Sequence, residues 1–303
     1  MKPQFQHEAN TSFALWLDQY LTCKGEAFSN HFDSLYYHED ERLPSYPEDD
    51  QNGYISYNSP YKQWVYNSDI EGAVIPTGVY VDTGDGVYNF CGRGQSGLII
   101  DFDNGRVLFE GRHFGENYNK LNVEAEFSVK DINIYLADDT EENIVIENKY
   151  NVNSRTTPEF LENTGILPYE KVSPAAFVSM ERSHNEPFAF GGEDLTTLNY
   201  RVIFFAEDLY QLDGIMSLCT DAYNLAIKNI GYNSHPFNEY GDLKTGSYSY
   251  GEQVRNNTKC EPLMFIEDTR SSKINDKLSK KINPGLYLGF VDFDISQSRF
   301  PRA

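Results

Sequence analysis

Cysteine is scarce and scattered in this chain of 303 residues. The four cysteines, Cys23, Cys91, Cys219 and Cys260, form no CxxC pair and no cluster with histidine, so we expect no zinc site. Cys219 falls within an apolar stripe, where a small buried thiol is the ordinary interpretation. This cysteine usage favours a reducing compartment.

Long apolar runs and positive charge are also lacking. No apolar stretch approaches 18 residues and the opening MKPQFQHEANTS has no apolar core, so we expect neither a membrane span nor a signal peptide. Only 25 Lys and Arg stand against 46 Asp and Glu, a net charge of −21. Because such a surface repels phosphate backbones, general nucleic-acid binding is not expected. The charge fits a soluble protein or one that meets a basic protein surface.

Catalytic signatures such as GxSxG, HExxH, a Walker loop or a Cys–His motif are missing from the sequence. Residues 92–97 match GxGxxG, but strand-like LIIDFDNGRVLF follows where a dinucleotide site needs a helix, so we expect a tight turn. Asp101-Phe-Asp103-Asn-Gly105 lacks the glycine spacing and the final Glu of a calcium loop, which favours a hairpin tip. We therefore predict no enzyme, no cofactor and no metal site.

One carboxylate pair leaves an enzymatic alternative open. Asp292 and Asp294 lie two residues apart on one face of a predicted strand, about 6–7 Å from each other. Paired carboxylates serve glycoside hydrolysis, so a β-sandwich carbohydrate-active enzyme is kept as an alternative function. Val291, Phe293 and Ile295 take the other face, which is also the ordinary pattern of a half-exposed strand.

Aromatic residues are abundant, at 15% of the chain with 22 Tyr and 20 Phe, as in β-rich proteins. From residue 53 to about 150 the apolar period is mostly two. Asp85-Gly86 and Asn104-Gly105 favour hairpin turns, and a switch of apolar parity predicts a break near Lys130-Asp131. This half predicts an antiparallel β-sandwich or barrel, with strands at 54–57, 62–66, 78–82, 87–91, 98–103 and 106–110.

A long helical pattern follows a predicted buried strand at residues 200–205. Asp208 and Gln211 form a pair like a capping box, and apolar residues then recur at steps of three and four as far as Ile230. Gly231 is a suitable stop. The pattern predicts one helix over residues 208–230, about 33 Å long.

Three stretches are predicted to contact other surfaces. A helix over residues 10–25, capped by Asn10, Thr11 or Ser12, has an aromatic stripe that must dock on its own domain or on a neighbour's. Residues 231–259 have little periodicity but several tyrosines, which favours an ordered interaction loop. Residues 271–283 hold the most basic patch, either a solvated surface or a match for an acidic partner. The candidate interface residues are Trp16, Tyr20, Tyr232, Tyr240, Tyr248, Tyr250, Lys277, Lys280 and Lys281.

The predicted fold class is α+β. Residues 1–52 are interpreted as an N-terminal helix and an acidic connector, residues 53–150 as the antiparallel β domain, and residues 166–303 as a small α+β domain. In the last of these the long helix packs on a mixed or antiparallel sheet, with strands at 175–180, 200–205, 263–266 and 286–295. The polar residues 151–165 are the predicted boundary.

Stretches spread over most of the chain resemble a family of virion structural proteins of large contractile-tailed bacteriophages. They are FALWLDQYLTCKGEAF, SPYKQWVY, GVYVDTG, NEPFAFGG, FFAEDLYQLDGIMSLCTDA, PFNEYGDLKTGSYSY and NPGLYLGFVDFDISQSRFPR. The resemblance brings no catalytic residues with it. A β domain joined to a small α+β domain looks like neck or tail-completion proteins, which form rings that cap the tail tube and bind the head connector.

The resemblance implies a non-enzymatic virion subunit that is assembled in the host cytoplasm. We expect a ring-forming homo-oligomer, such as a hexamer, that joins the tail tube to the head connector and contacts other head–tail or tail proteins. An acidic ring would let DNA slide past, without sequence-specific nucleic-acid binding or membrane contact. A baseplate or capsid decoration protein is the alternative virion component.

Overall fold

The computed structural model describes residues 4–39, 43, 53–114, 119–147, 151–152, 171–189, 191–255, 263–275, 279, 281–282 and 285–300. The fold class is α+β, as predicted: an N-terminal helix precedes two curled, mostly antiparallel sheets, and helices are few. In these residues the α-helices are α1 (Phe5–Lys24), α2 (Leu209–Thr220) and α3 (Tyr250–Arg255).

Seven strands form the first sheet: β1 (Phe28–His38), β2 (Tyr54–Asn58), β3 (Gly78–Asp82), β4 (Asn89–Gly92), β5 (Ile99–Asp101), β6 (Arg106–Glu110) and β7 (Asn122–Lys130). Their order is β4–β3–β7–β1–β2–β6–β5, and every pair is antiparallel. Alternate residues of each strand turn inward, and aromatic rings fill the interior. Trp64 stacks on Phe127 at 4.3 Å between centroids, and Tyr57 meets Phe109 edge-on.

Six strands form the second sheet: β8 (Asn133–Leu136), β11 (Ala175–Ala189), β12 (Glu193–Ala206), β13 (Ala226–Lys228), β14 (Leu263–Lys273) and β15 (Tyr287–Arg299). Their order is β13–β14–β15–β12–β11–β8, and the parallel pairing of β8 with β11 makes the sheet mixed. A separate short parallel pair joins β9 (Asn151–Val152) to β10 (Val172–Ser173).

Helices α1 and α2 cover one face of the second sheet. Phe13 of α1 stacks on Tyr200 of β12 at 4.3 Å and meets Phe293 of β15 edge-on at 5.2 Å. This apolar cluster is continuous with the interior of the first sheet, so the two sheets share one main core. A smaller cluster on the opposite face of the second sheet packs Phe177 and Phe205 together with Ile144, Val145 and Leu288.

Each half of the chain supplies the segment that covers the sheet of the other half. The N-terminal helix lies on the second sheet, where the backbone amide of Ile230 donates to Ser12 Oγ at 2.7 Å. Residues 231–255 leave the second sheet and cross the first, where Arg93 pairs with Asp242 at 2.8 Å. We call residues 231–255 the strap.

The helix predicted over residues 208–230 is too long. Its cap is correct, because Asp208 accepts a hydrogen bond from the Gln211 amide at 2.7 Å, but α2 ends at Thr220. Asn224 then takes a left-handed conformation with φ of 63°, and its amide donates to the Ile266 carbonyl at 3.0 Å. The chain continues as β13 because pairing with β14 outweighs local helical preference.

The predicted domain boundaries also differ from the sheets. β1 falls in the stretch interpreted as a connector, yet it lies between β7 and β2 in the first sheet. β8 falls in the predicted β domain, yet it pairs with β11 in the second sheet. The helix predicted over 10–25 starts at Phe5, with Gln4 at its N-cap rather than Asn10, Thr11 or Ser12. The strand predicted over 62–66 makes one isolated bridge at Trp64.

Candidate functional site

Four of the predicted interface aromatics are buried inside the chain. Trp16 and Tyr20 stack on each other at 5.1 Å along the inner side of α1. Tyr248 and Tyr250 of the strap are buried too, and Tyr248 packs on Tyr66 at 5.6 Å. The interface prediction does not hold at these four positions, because rings inside the core present no surface to a partner.

Of the other five candidates, three fall within the part of the chain that the structure describes. Tyr240 is half-buried and its ring lies 5.6 Å from that of Tyr54, while Tyr232 begins the turn Tyr232–Ser234. Lys281 is exposed. Lys277 and Lys280 lie outside the described residues.

Asp292 and Asp294 share the outer face of β15, as the alternation predicts, but both are engaged within the sheet. Arg201 of β12 donates to Asp292 at 2.7 Å, and this contact is the main reason why the pKa of Arg201 is raised. Asp294 accepts from Asn199 of β12 and pairs with Arg270 of β14. The two carboxylates cross-link neighbouring strands, and the geometry gives no support to a hydrolytic role.

The two glycine motifs are turns, as predicted. Residues 92–97 join β4 to β5, with Gly94 and Gly97 at φ of 79° and 65°. The next turn joins β5 to β6, and there Asp101 forms a buried ion pair with Arg106 at 2.8 Å. Since Arg106 neutralises Asp101 inside the protein, that carboxylate is part of the turn and not a free ligand.

A cleft opens where α1, the β5–β6 turn and the strap meet. One part has a volume of about 590 Å³ and an adjoining part about 380 Å³, and both are lined by Asp103, His235 and Phe237. The cleft brings together residues from the N-terminal helix, the first sheet and the C-terminal half. Such a junction is a common place for a ligand or for functional motion.

Asp103 is the unusual titratable group of this cleft. Burial among protein atoms raises the pKa of Asp103 to about 7, while Lys130 opposes the rise and neighbouring aspartates add to it. The side chain itself is open to water in the cleft, which moderates the effect. Burial, with the charge of Lys244, lowers the pKa of His235. The cleft therefore holds a carboxyl group whose pKa is raised and an imidazole whose pKa is lowered.

A buried ion pair closes the floor of the cleft. Lys130 of β7 contacts Asp18 of α1 at 2.8 Å, and both side chains are less than a tenth exposed. The Lys130 ammonium also lies 4.5 Å from the centre of the Tyr66 ring. This pair joins α1 to the first sheet.

The second sheet has two strands that extend past their neighbours. β11 pairs with β8 only at residues 175–178, so among the described residues 181–189 form an open edge. β14 pairs with β13 only at residues 263–265, so residues 267–273 form a second open edge on the opposite side of the sheet in the part of the chain that the structure describes. Both edges are exposed, and Phe188 on the first of them is 63% exposed.

The outer face of the first sheet carries exposed aromatic rings. Phe32 of β1 and Phe90 of β4 are 58% and 54% exposed, and Tyr80 of β3 lies 6.2 Å and 5.4 Å from them between ring centroids. Glu124 and Glu126 of β7 stand on the same face between β1 and β3. We call these five residues the aromatic–acidic face.

Sequence reasoning missed the open edges of the second sheet and the aromatic–acidic face. β1 was not recognised as a strand, so Phe32 could not be assigned to a sheet face. For the edge of β11 a signal was present, because Pro187 lacks a backbone donor and proline inside a sheet is confined to edge strands and bulges. The open edge then depends on where β8 ends, which sequence periodicity does not reveal.

Comparison with known proteins finds no family model that matches the chain and no curated protein that matches it. Across the described ranges, no group of three or more His, Cys, Asp or Glu side chains is placed to hold a metal ion. None of the helices in those ranges is long and apolar enough to cross a membrane. Function is therefore inferred from the surfaces and from the sequence resemblance.

Proposed function

We propose that this protein is a non-enzymatic virion structural subunit of a contractile-tailed bacteriophage. In this proposal it forms a ring at the neck or tail end, between the tail tube and the head connector. The sequence resemblance supports the virion setting. The observation that supports ring formation is the pair of open edges on opposite sides of the second sheet.

An open edge presents unpaired backbone donors and acceptors to any strand that approaches it. β11 is antiparallel to β12, β12 to β15, and β15 to β14, so the two edges run in opposite directions. The edge of one copy can therefore receive the other edge of the next copy as an antiparallel partner. Such a head-to-tail contact uses different surfaces on the two copies, and it closes into a ring when the rotation allows.

The side chains of the edges favour selective pairing over general aggregation. The β11 edge carries Glu181, Arg182 and Glu186, and the β14 edge carries Glu267, Asp268, Arg270 and Lys273. Charges of both signs restrict the registers in which two edges can meet, because like charges directly opposite are unfavourable.

Light scattering across a concentration series tests the ring. We expect a discrete plateau at a multiple of the 34.7 kDa chain mass. Phe188→Asp should shift the mass towards one chain, because a charge on the edge is desolvated when a strand pairs there. Val87→Asp is the matched control, since Val87 is 56% exposed in the turn between β3 and β4 of the first sheet. A wild-type protein of one chain mass at every concentration would overturn the ring.

Immunogold electron microscopy of the virion tests the position. We expect label at the junction of head and tail. Label at the baseplate or over the capsid surface would instead favour the alternative virion components and would reject the neck assignment. These two outcomes are independent of the ring size that light scattering reports.

A further inference from the structure

The aromatic–acidic face lies at an open border of the first sheet. β4 is the terminal strand of that sheet, and Phe90 is on it. Inward residues of the same strands, including Val79, Val81 and Phe127, are buried in the core. The exposed rings of Phe32 and Phe90 lie on the other face and take no part in that core. Exposed aromatic rings grouped in this way mark interaction sites in soluble proteins.

The strand register places the two carboxylates of β7 between the rings of β3 and β4 on one side and the ring of β1 on the other. Phe90 is opposite Tyr80, Tyr80 is opposite Glu124, and Phe32 is opposite Glu126. Residues directly opposite each other share a face, so the four strands β4, β3, β7 and β1 present one continuous surface. Across three strand spacings it measures about 14 Å.

The two glutamates of the face have no cationic partner among the residues that the structure describes. Glu124 interacts with the Tyr88 hydroxyl, whose pKa is raised by desolvation and by this contact. Glu126 is exposed. The carboxylates therefore stand beside aromatic rings with their negative charge uncompensated.

From this arrangement we propose that the aromatic–acidic face binds a segment of a basic protein through arginine side chains. A guanidinium group stacks on aromatic rings and pairs bidentately with a carboxylate, so it meets both features of the face at once.

Charge selects this partner over a second copy of the chain. Residues 1–150 carry 10 Lys and Arg against 26 Asp and Glu, a difference of −16. Two such surfaces repel each other, and phosphate-bearing ligands are repelled in the same way. A basic protein segment is attracted instead. The aromatic rings then favour the planar guanidinium of arginine over the ammonium group of lysine. The site is distinct from the open edges of the second sheet and does not depend on ring formation.

Fluorescence anisotropy with a labelled penta-arginine peptide tests the proposal at near-physiological salt, where general attraction is screened beyond about 8 Å. We expect Phe32→Ala and Glu126→Gln each to weaken binding by at least about fivefold. The matched controls are Tyr223→Ala, an exposed ring on another surface, and Glu252→Gln, which removes the same charge from exposed α3. They should change binding by less than about twofold, as expected for exposed side chains outside an interface.

If the control variants lose as much peptide affinity as the face variants, binding depends on net charge alone and the proposal is overturned. Absence of measurable binding by the wild-type protein would overturn it too. Because Phe32 and Glu126 are exposed, their variants should keep the thermal unfolding temperature of the wild type, which separates lost binding from lost folding. A labelled penta-lysine peptide of the same charge should bind more weakly than penta-arginine.

Discussion

The two sheets differ in how their strands end. Most strands of the first sheet have three to five residues, whereas four strands of the second sheet have 11 to 15. The long strands outrun their neighbours and leave backbone edges open, while the first sheet presents side chains on its outer face. We propose accordingly that the second sheet makes contacts by backbone pairing and the first by side-chain recognition.

The sheets nevertheless form one core, because α1 and the strap cross between the halves. If this is so, the sheets should not unfold separately. The coupling between the two sheets can be tested at α1, which packs on the second sheet through Phe13 and contacts the first through Asp18.

The largest effect is expected for Phe13→Ala. Phe13 is fully buried against Tyr200 and Phe293, and removing such a ring lowers the free energy of unfolding by about 3–5 kcal/mol. Urea denaturation measures the loss. The chain has two tryptophans, Trp16 on α1 and Trp64 in the first sheet, so Trp64→Phe and Trp16→Phe backgrounds report each region alone.

Coincident urea transitions in the two single-tryptophan backgrounds are expected, since a shared core unfolds as one unit. Two separate transitions would contradict the shared core and would restore the domain division predicted from sequence. Tyr210→Ala serves as the control, because its exposed ring should change the free energy of unfolding by less than about 0.5 kcal/mol.

A somewhat smaller effect is expected at the other contact of α1. Asp18→Ala leaves the Lys130 ammonium buried without its partner, which should lower the free energy of unfolding by about 3 kcal/mol. The nearby Tyr66 ring retains part of the stabilisation of the cation.

The double variant Asp18→Ala with Lys130→Met sharpens this result. Removing both charges should recover most of the lost stability, because a buried pair is roughly balanced against apolar residues of similar volume. Urea denaturation of the double-mutant cycle measures the coupling. Additive losses would mean that the pair does not join α1 to the first sheet energetically.

Sequence reasoning succeeded where local signals and tertiary pairing agree. Strands β3 and β6 have the predicted bounds, because apolar alternation ends in glycine-containing turns on one side of each. The break near Lys130 is also correct, since β7 ends at Lys130 and β8 begins at Asn133 in the other sheet. The N-cap at Asp208 depends on two neighbouring residues alone.

The failures concern residues whose partners are distant in sequence. Ala222, Ile227 and Ile230 are buried as the helical pattern predicts, but a turn and a strand bury them equally well, and the β14 partner lies about 40 residues away. Likewise an aromatic stripe such as that of Trp16 requires a covering surface without specifying which one. For the same reason the cleft around Asp103 could not be predicted, because three separate segments build it.

The smallest effect is expected at Asp103, which lines the cleft between the two halves. Because burial raises the pKa of Asp103 to about 7 from an ordinary value of 3.8, the folded state holds a proton at intermediate pH that the unfolded chain has released. Stability therefore falls as pH rises from about 4 to about 7, since the folded state binds more protons across that window. Asp103→Asn removes this loss of stability. The expected gain in the free energy of unfolding is roughly 1 kcal/mol or less, because the carboxylate is exposed to cleft water.

Thermal unfolding of the wild type and Asp103→Asn at several pH values measures the difference. The variant should equal the wild type near pH 4 and become the more stable protein above pH 7, because only the wild type then carries a charge that the cleft disfavours. If the variant is less stable than the wild type above pH 7, the folded protein stabilises the Asp103 carboxylate. The charge of Lys130 would then compensate fully for the burial of Asp103.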